Sequence, residues 1–178
     1  MYIYIMLFNN ISNFSNINDY LPILNAVLIV DIVGIIMSFM GIIKSLYLRK
    51  WYIDYKNNAV IADVLVIVFG LIITRFFYTL LFKKFHIFYF VFLALIIQIT
   101  HDILFYVMFS SVPHNKNKMM DFFKKYAREV KEWAIIGDSI MIVSACLLAS
   151  LLANFSLNSN IILFLFLVYL LPYILNTY

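Results

Sequence analysis

Long apolar runs separated by short polar segments organise this chain. The runs cover residues 21–48, 59–82, 87–112, 133–154 and 160–178. At about 1.5 Å per residue each can cross a bilayer, so the pattern predicts five transmembrane helices. The fifth is near the minimum length and carries Pro172, which leaves a re-entrant or interfacial tail as its alternative. Pro113, in the turn SVPHNKNK, stops the third run. Residues 9–20 (NNISNFSNINDY) are polar and Asn-rich and read as a flexible N-terminal segment. The apolar start, Met1–Phe8, lacks the basic region and cleavage site of a signal peptide and is too short to span. The fold class expected is all-α: a polytopic transmembrane bundle forming one domain over 21–178, preceded by the polar segment 1–20.

Residues 116–133 (KNKMMDFFKKYAREVKEW) follow a different rhythm. Met119, Phe122, Phe123, Tyr126, Val130 and Trp133 recur at three- and four-residue steps, while Lys118, Lys124, Lys125, Arg128 and Lys131 lie mostly off that stripe. This pattern predicts an amphipathic helix in the membrane interface, facing anionic lipid with its basic side. The alternative is a solvated helix held by pairs such as Asp121 with Lys125 and Arg128 with Glu132.

Composition narrows the class further. Apolar residues make up 65% and charged residues only 12% of the 178, about half the charge of a soluble domain. A mean hydropathy of +0.97 excludes a soluble enzyme, a disordered tail and a nucleic-acid-binding domain. The single cysteine, Cys146, excludes an intrachain disulfide and any CxxC motif. Of the basic residues, ten fall in the first and third connections, only Lys83 and Lys84 in the second, and Arg75 inside a span. That bias predicts cytosolic first and third connections, an outer N-terminus and a cytosolic C-terminus. Sequons at Asn10, Asn13 and Asn154 all fall on the outer side of this topology, although an Asn-rich chain produces them often by chance.

An ionisable group at membrane depth costs about 2.5–3.5 kcal/mol on insertion scales, so each calls for a reason. They are Asp31, Asp63, Arg75, His101, Asp102 and Asp138, with Gln98 nearby. Asp31 shares a face with Gly34, Ser38 and Gly41, and Asp138 with Ala145 and Ala149, so both are expected to face other helices rather than lipid. Gln98, His101 and Asp102 share one side of the third span. Asp63, His101, Asp102 and Asp138 lie at depths that let them line one cavity opening to the cytosol. Asp31 and Arg75, nearer the outer side, are positioned to pair across the first two helices. Simpler readings exist: Asp63 and Asp138 near helix starts suit the free N–H groups there, and Arg75 can snorkel. The adjacent His101 and Asp102, far from any helix end, have no such account.

Carboxylates and an imidazole from three helices suit a hard or borderline divalent metal, and equally a proton or cation pathway. No HExxH, DxxD or paired-His spacing fixes ligands, so neither the metal nor any cofactor is identified. A potassium filter, P-loop, GxGxxG and GxSxG are all missing, which excludes those channel and enzyme classes.

At VIADVLVIVFGLIITRFFY, QITHDILFYVMFSSVP, MMDFFKKYAREV and AIIGDSIMIVSACLLASLLAN the chain resembles an uncharacterised multi-pass membrane protein family of nucleocytoplasmic giant DNA viruses. The likeness covers roughly residues 59–175. It implies a setting in a virion or infected-cell membrane and no activity. The expected function is then a non-enzymatic component of a virion's internal membrane, with other virion membrane proteins or further copies of the chain as partners. A small transporter or ion-conducting protein is the second expectation, and a membrane-embedded, metal-dependent lipid enzyme the third.

Overall fold

In the computed structural model, which describes residues 8–177, seven α-helices follow a short 3-10 turn at Ile17–Asp19. They are α1 (Tyr20–Phe39), α2 (Leu46–Tyr55), α3 (Asn57–Leu81), α4 (Ile87–Ser111), α5 (Lys118–Val130), α6 (Trp133–Leu152) and α7 (Leu157–Leu175). The helices α1, α3, α4, α6 and α7 are long and apolar enough to cross a membrane, and the protein is a multi-pass integral membrane protein. Phe88, Phe92, Leu80, Ile162 and Leu165 point outward from the bundle, as expected of side chains that meet lipid.

Helices α1, α3, α4 and α6 form a closed ring in which α1 packs on α3, α3 on α4, α4 on α6 and α6 back on α1. Helix α7 lies outside this ring against α1 and α3. The tightest seam joins α1 to α6, where Ala26, Ala145, Cys146 and Ala149 have no exposed surface. Lipid tails are as apolar as leucine, so this seam is held by close approach of small residues rather than by exclusion of water. The α3–α4 connection is short because Tyr78 bonds both sides of it: its hydroxyl donates to the Lys84 carbonyl at 3.1 Å and accepts the His86 N–H at 2.8 Å.

Two expectations fail near the N-terminus. The first span does not run over 21–48. Helix α1 ends at Phe39, where Gly41 takes φ +74° and the N–H groups of Gly41 and Ile42 bond back to Ser38 and Met37. This is a Schellman stop, which needs a residue free to enter the left-handed region. Ser45 then caps a new helix by accepting the Leu48 N–H, so α2 turns away at the end of the bundle. Gly41 belongs to this stop and not to a helix-packing stripe.

The segment 9–20 is not a loose tail. The Asn9 N–H bonds the Ser150 carbonyl at 3.1 Å, its side chain donates to the Ala153 carbonyl at 2.9 Å, and Ile11 is fully buried. It forms a strap across the end of the bundle that also carries the α3–α4 and α6–α7 turns. The expectation for Met1–Phe8 falls, apart from Phe8, outside the described residues.

The other boundaries agree with the hydrophobic pattern to within about three residues. Pro172 sits inside α7, which is a continuous helix rather than a re-entrant turn.

Candidate functional site

Each helix of the ring contributes one aspartate to the same half of the bundle: Asp31 from α1, Asp63 from α3, Asp102 from α4 and Asp138 from α6. Counted from the helix ends nearest α2 and α5, they lie about 8–14 Å deep at 1.5 Å per residue. Asp31 has no exposed surface, whereas Asp63, Asp102 and Asp138 are part-buried. They share one electrostatic environment. Asp31 is within reach of the Asp63 charge, and Asp138 of those of Asp102 and Asp63.

The partners of these carboxylates come from several elements. Trp51 of α2 donates its indole N–H to Asp63 Oδ2 at 2.9 Å. Tyr52, one residue on, donates its hydroxyl to Asp31 Oδ1 at 3.4 Å. Gln98 Nε2 donates to Asp102 Oδ1 at 2.7 Å, and His101 Nδ1 lies 3.3 Å from the same oxygen. Two oxygens remain buried without a partner, Asp31 Oδ2 and Asp102 Oδ2. Apart from His101 beside Asp102, the partners seen on these carboxylates are neutral donors.

The cluster is closed at its end by α2 and α5. Phe122 and Phe123 of α5 pack on Trp51, with ring centroids 5.6 and 5.0 Å away, and Phe123 also meets Phe105 and Phe109 of α4. The Phe122 and Phe123 part of the α5 apolar stripe is therefore turned onto protein, while Trp133 at its end is 68% exposed. The Asp121–Lys125 and Arg128–Glu132 pairs do not form: Asp121 instead holds His114 at 3.2 Å and the Asn115 N–H at 2.8 Å. Glu129 crosses to α2 and accepts the N–H groups of Leu46 (2.7 Å) and Tyr47 (2.9 Å) and the Ser45 hydroxyl (2.9 Å). It thus caps α2 from another helix. Partial burial acts to raise the Glu129 carboxyl, but these donors outweigh it and hold it below the usual carboxylate range.

Tyr126 and Tyr52 bring phenols to the acid cluster. Burial raises both well above the ordinary tyrosine range. The charges of Asp138 and Asp63 add to this at Tyr126, and those of Asp31 and Asp63 at Tyr52. Both remain protonated donors at any physiological pH.

Of the residues singled out from the sequence, Asp63, Asp102 and Asp138 come together. His101 bonds Asp102 but is 42% exposed and stacks on Phe105 at the edge of the cluster. Asp31 and Arg75 do not pair. The first span ends nine residues earlier than its hydrophobicity implies, which puts Asp31 at the α2 and α5 end, in the acid cluster. Arg75 sits at the opposite end with no exposed side-chain surface. There it binds Asp19 Oδ2 at 3.1 Å and the carbonyls of Asn13 and Asn16, and lies 4.4 Å from the Tyr20 ring. It is an anchor for the strap and does not snorkel.

Among the described residues no three His, Cys, Asp or Glu side chains converge closely enough to hold a metal ion. Tyr52, Trp51, Tyr126 and Asp19 were not legible as site residues. An acid just before the Pro22 helix start is the one signal available for Asp19; an aromatic in an interfacial segment carries none.

Compared with protein-family models, curated proteins and solved structures, the chain matches none.

Proposed function

We propose that this membrane protein binds and passes protons or a small hydrated cation through its ring of four helices, as a small transporter or ion-conducting protein. The observation that carries this reading is one carboxylate from each ring helix, gathered in one half of the bundle with His101 beside Asp102 at its edge. Like charges close together in a low dielectric repel strongly. Neutralising them takes protons or a cation. Tyr52 supplies an O–H donor that stabilises the Asp31 carboxylate when it is ionised. The basic connections support a cytosolic placement for the end that carries α2 and α5.

A second reading is a structural component of a virion's internal membrane. The resemblance supports that setting. The hydrogen bonds from Trp51, Tyr52 and Gln98 favour it as well, since a structural network satisfies its acids in this way.

Flux from liposomes containing the purified protein separates the two. Proton or monovalent-cation flux is expected above protein-free liposomes and falls at least about tenfold in Asp102→Asn and Asp138→Asn. Thermal stability in detergent is expected to be unchanged or raised, because groups held for a task usually cost stability. Absence of flux for every ion, together with unfolding by Asp102→Asn, makes the cluster internal glue and leaves the structural reading.

A further inference from the structure

We infer that the groove between α2, α5 and the turn joining α4 to α5 is a binding site for the phosphate of an anionic phospholipid headgroup. The groove has a volume of about 370 Å³. Lys50 of α2 and Lys118 and Lys125 of α5 line it, over a wall of Tyr47, Tyr55 and Phe122. All three lysines are exposed, and none lies within ion-pair distance of a carboxylate among the described residues. The two acids in the groove do not cancel them. Asp54 and Asp121, the latter held by His114 and the Asn115 N–H, stand against three lysines and leave the groove net positive.

This arrangement is assembled by the fold. Lys50 is 68 positions from Lys118 in the chain. The two reach one groove because Phe122 docks on Tyr47, Trp51 and Tyr55, with ring centroids 5.4–5.7 Å away. Unpaired ammonium groups clustered above tyrosines at a bundle end are what a lipid phosphate meets in the interfacial layer. The acyl chains have a path as well. Leu104, Val107 and Met108, on the last turns of α4 before the groove, are about half exposed or more. A free phosphate shares the headgroup chemistry but makes no use of that apolar face.

The inference depends on the membrane placement and not on the acid cluster. Its test is native mass spectrometry of the full chain released from detergent, titrated with phosphatidylglycerol, phosphatidylcholine or inorganic phosphate. One phosphatidylglycerol is expected to bind about tenfold or more tighter than phosphatidylcholine, since each lysine near an anionic headgroup contributes comparably. The triple variant Lys50→Gln, Lys118→Gln, Lys125→Gln is expected to lose that preference, and Lys83→Gln with Lys84→Gln, at the other end, to keep it. All five lysines are exposed, so folding is not at stake. Equal binding of the two lipids, or a preference that survives the triple variant, overturns the site. Displacement of the lipid by inorganic phosphate overturns the headgroup as its source and assigns the groove to a soluble phosphate.

Discussion

Replacing Arg75 by leucine tests how the strap is held. The guanidinium is fully buried and makes an ion pair with Asp19, whose side chain is 7% exposed. It also donates to the Asn13 and Asn16 carbonyls and faces the Tyr20 ring. Leucine keeps part of the apolar volume and removes every polar contact. Removing one partner of a buried pair costs about 3–5 kcal/mol, because the remaining charge is left unpaired. Here the loss is limited by an escape: the strap can lift and return Asp19 and both carbonyls to water. The expected destabilisation is therefore about 3 kcal/mol, at the low end, with local release of residues 9–19. Chemical unfolding in mixed micelles measures the first quantity. Hydrogen exchange at Ile11 and Ser12, together with protease cleavage of the strap, measures the second. Adding Asp19→Leu to Arg75→Leu removes the stranded charge and is expected to restore at least about 1 kcal/mol, the coupling typical of groups in direct contact. A loss below about 1 kcal/mol with unchanged exchange refutes the reasoning, since an anchor with these contacts cannot be removed so cheaply.

Glu129→Ala removes the cap that α5 supplies to α2 and is expected to cost about 0.5–2 kcal/mol, read as faster exchange at Leu46, Tyr47 and Leu48. Because the folded Glu129 carboxyl is depressed, its contribution is present above the ordinary glutamate value of about 4.3 and is lost as pH falls through the lower folded value. The wild type should show that acid loosening of α2 and the variant should not. At the Schellman stop, Gly41→Ala meets no neighbour within 4 Å but must hold φ +74°, for a cost of about 1–2 kcal/mol. By contrast Gly34→Ala, helical and equally unhindered, should stabilise by up to about 1 kcal/mol; thermal unfolding of the pair separates backbone strain from crowding. Asn25 of α1, fully buried, donates to the Asn160 carbonyl of α7 at 2.8 Å. Asn25→Leu should therefore cost about 0.6–1.7 kcal/mol in the same assay, the range for hydrogen bonds between helices in membranes.

The membrane class, the five crossings, the amphipathic helix before Trp133 and the acids at membrane depth follow from the order of residues alone. A run of about 20 apolar residues has to satisfy its backbone internally, and a helix is the local way to do so. Such reasoning fails where the choice is between two local outcomes of similar hydropathy. Residues 40–48 are apolar enough to prolong a span, yet Gly41 in the left-handed region and the Ser45 cap end it and turn α2 aside. Residues 9–19 are polar enough to float, yet the buried Arg75 at 75 needs acceptors, and the strap is where they are. Which acids meet was settled by the ring itself. The face of a helix that carries Asp31, Asp63, Asp102 or Asp138 can be read from a 3.6-residue period. Which other helix that face meets depends on contacts between segments up to more than a hundred residues apart. In a bilayer those contacts arise from shape and from polar groups seeking partners, because apolar side chains lose nothing by facing lipid.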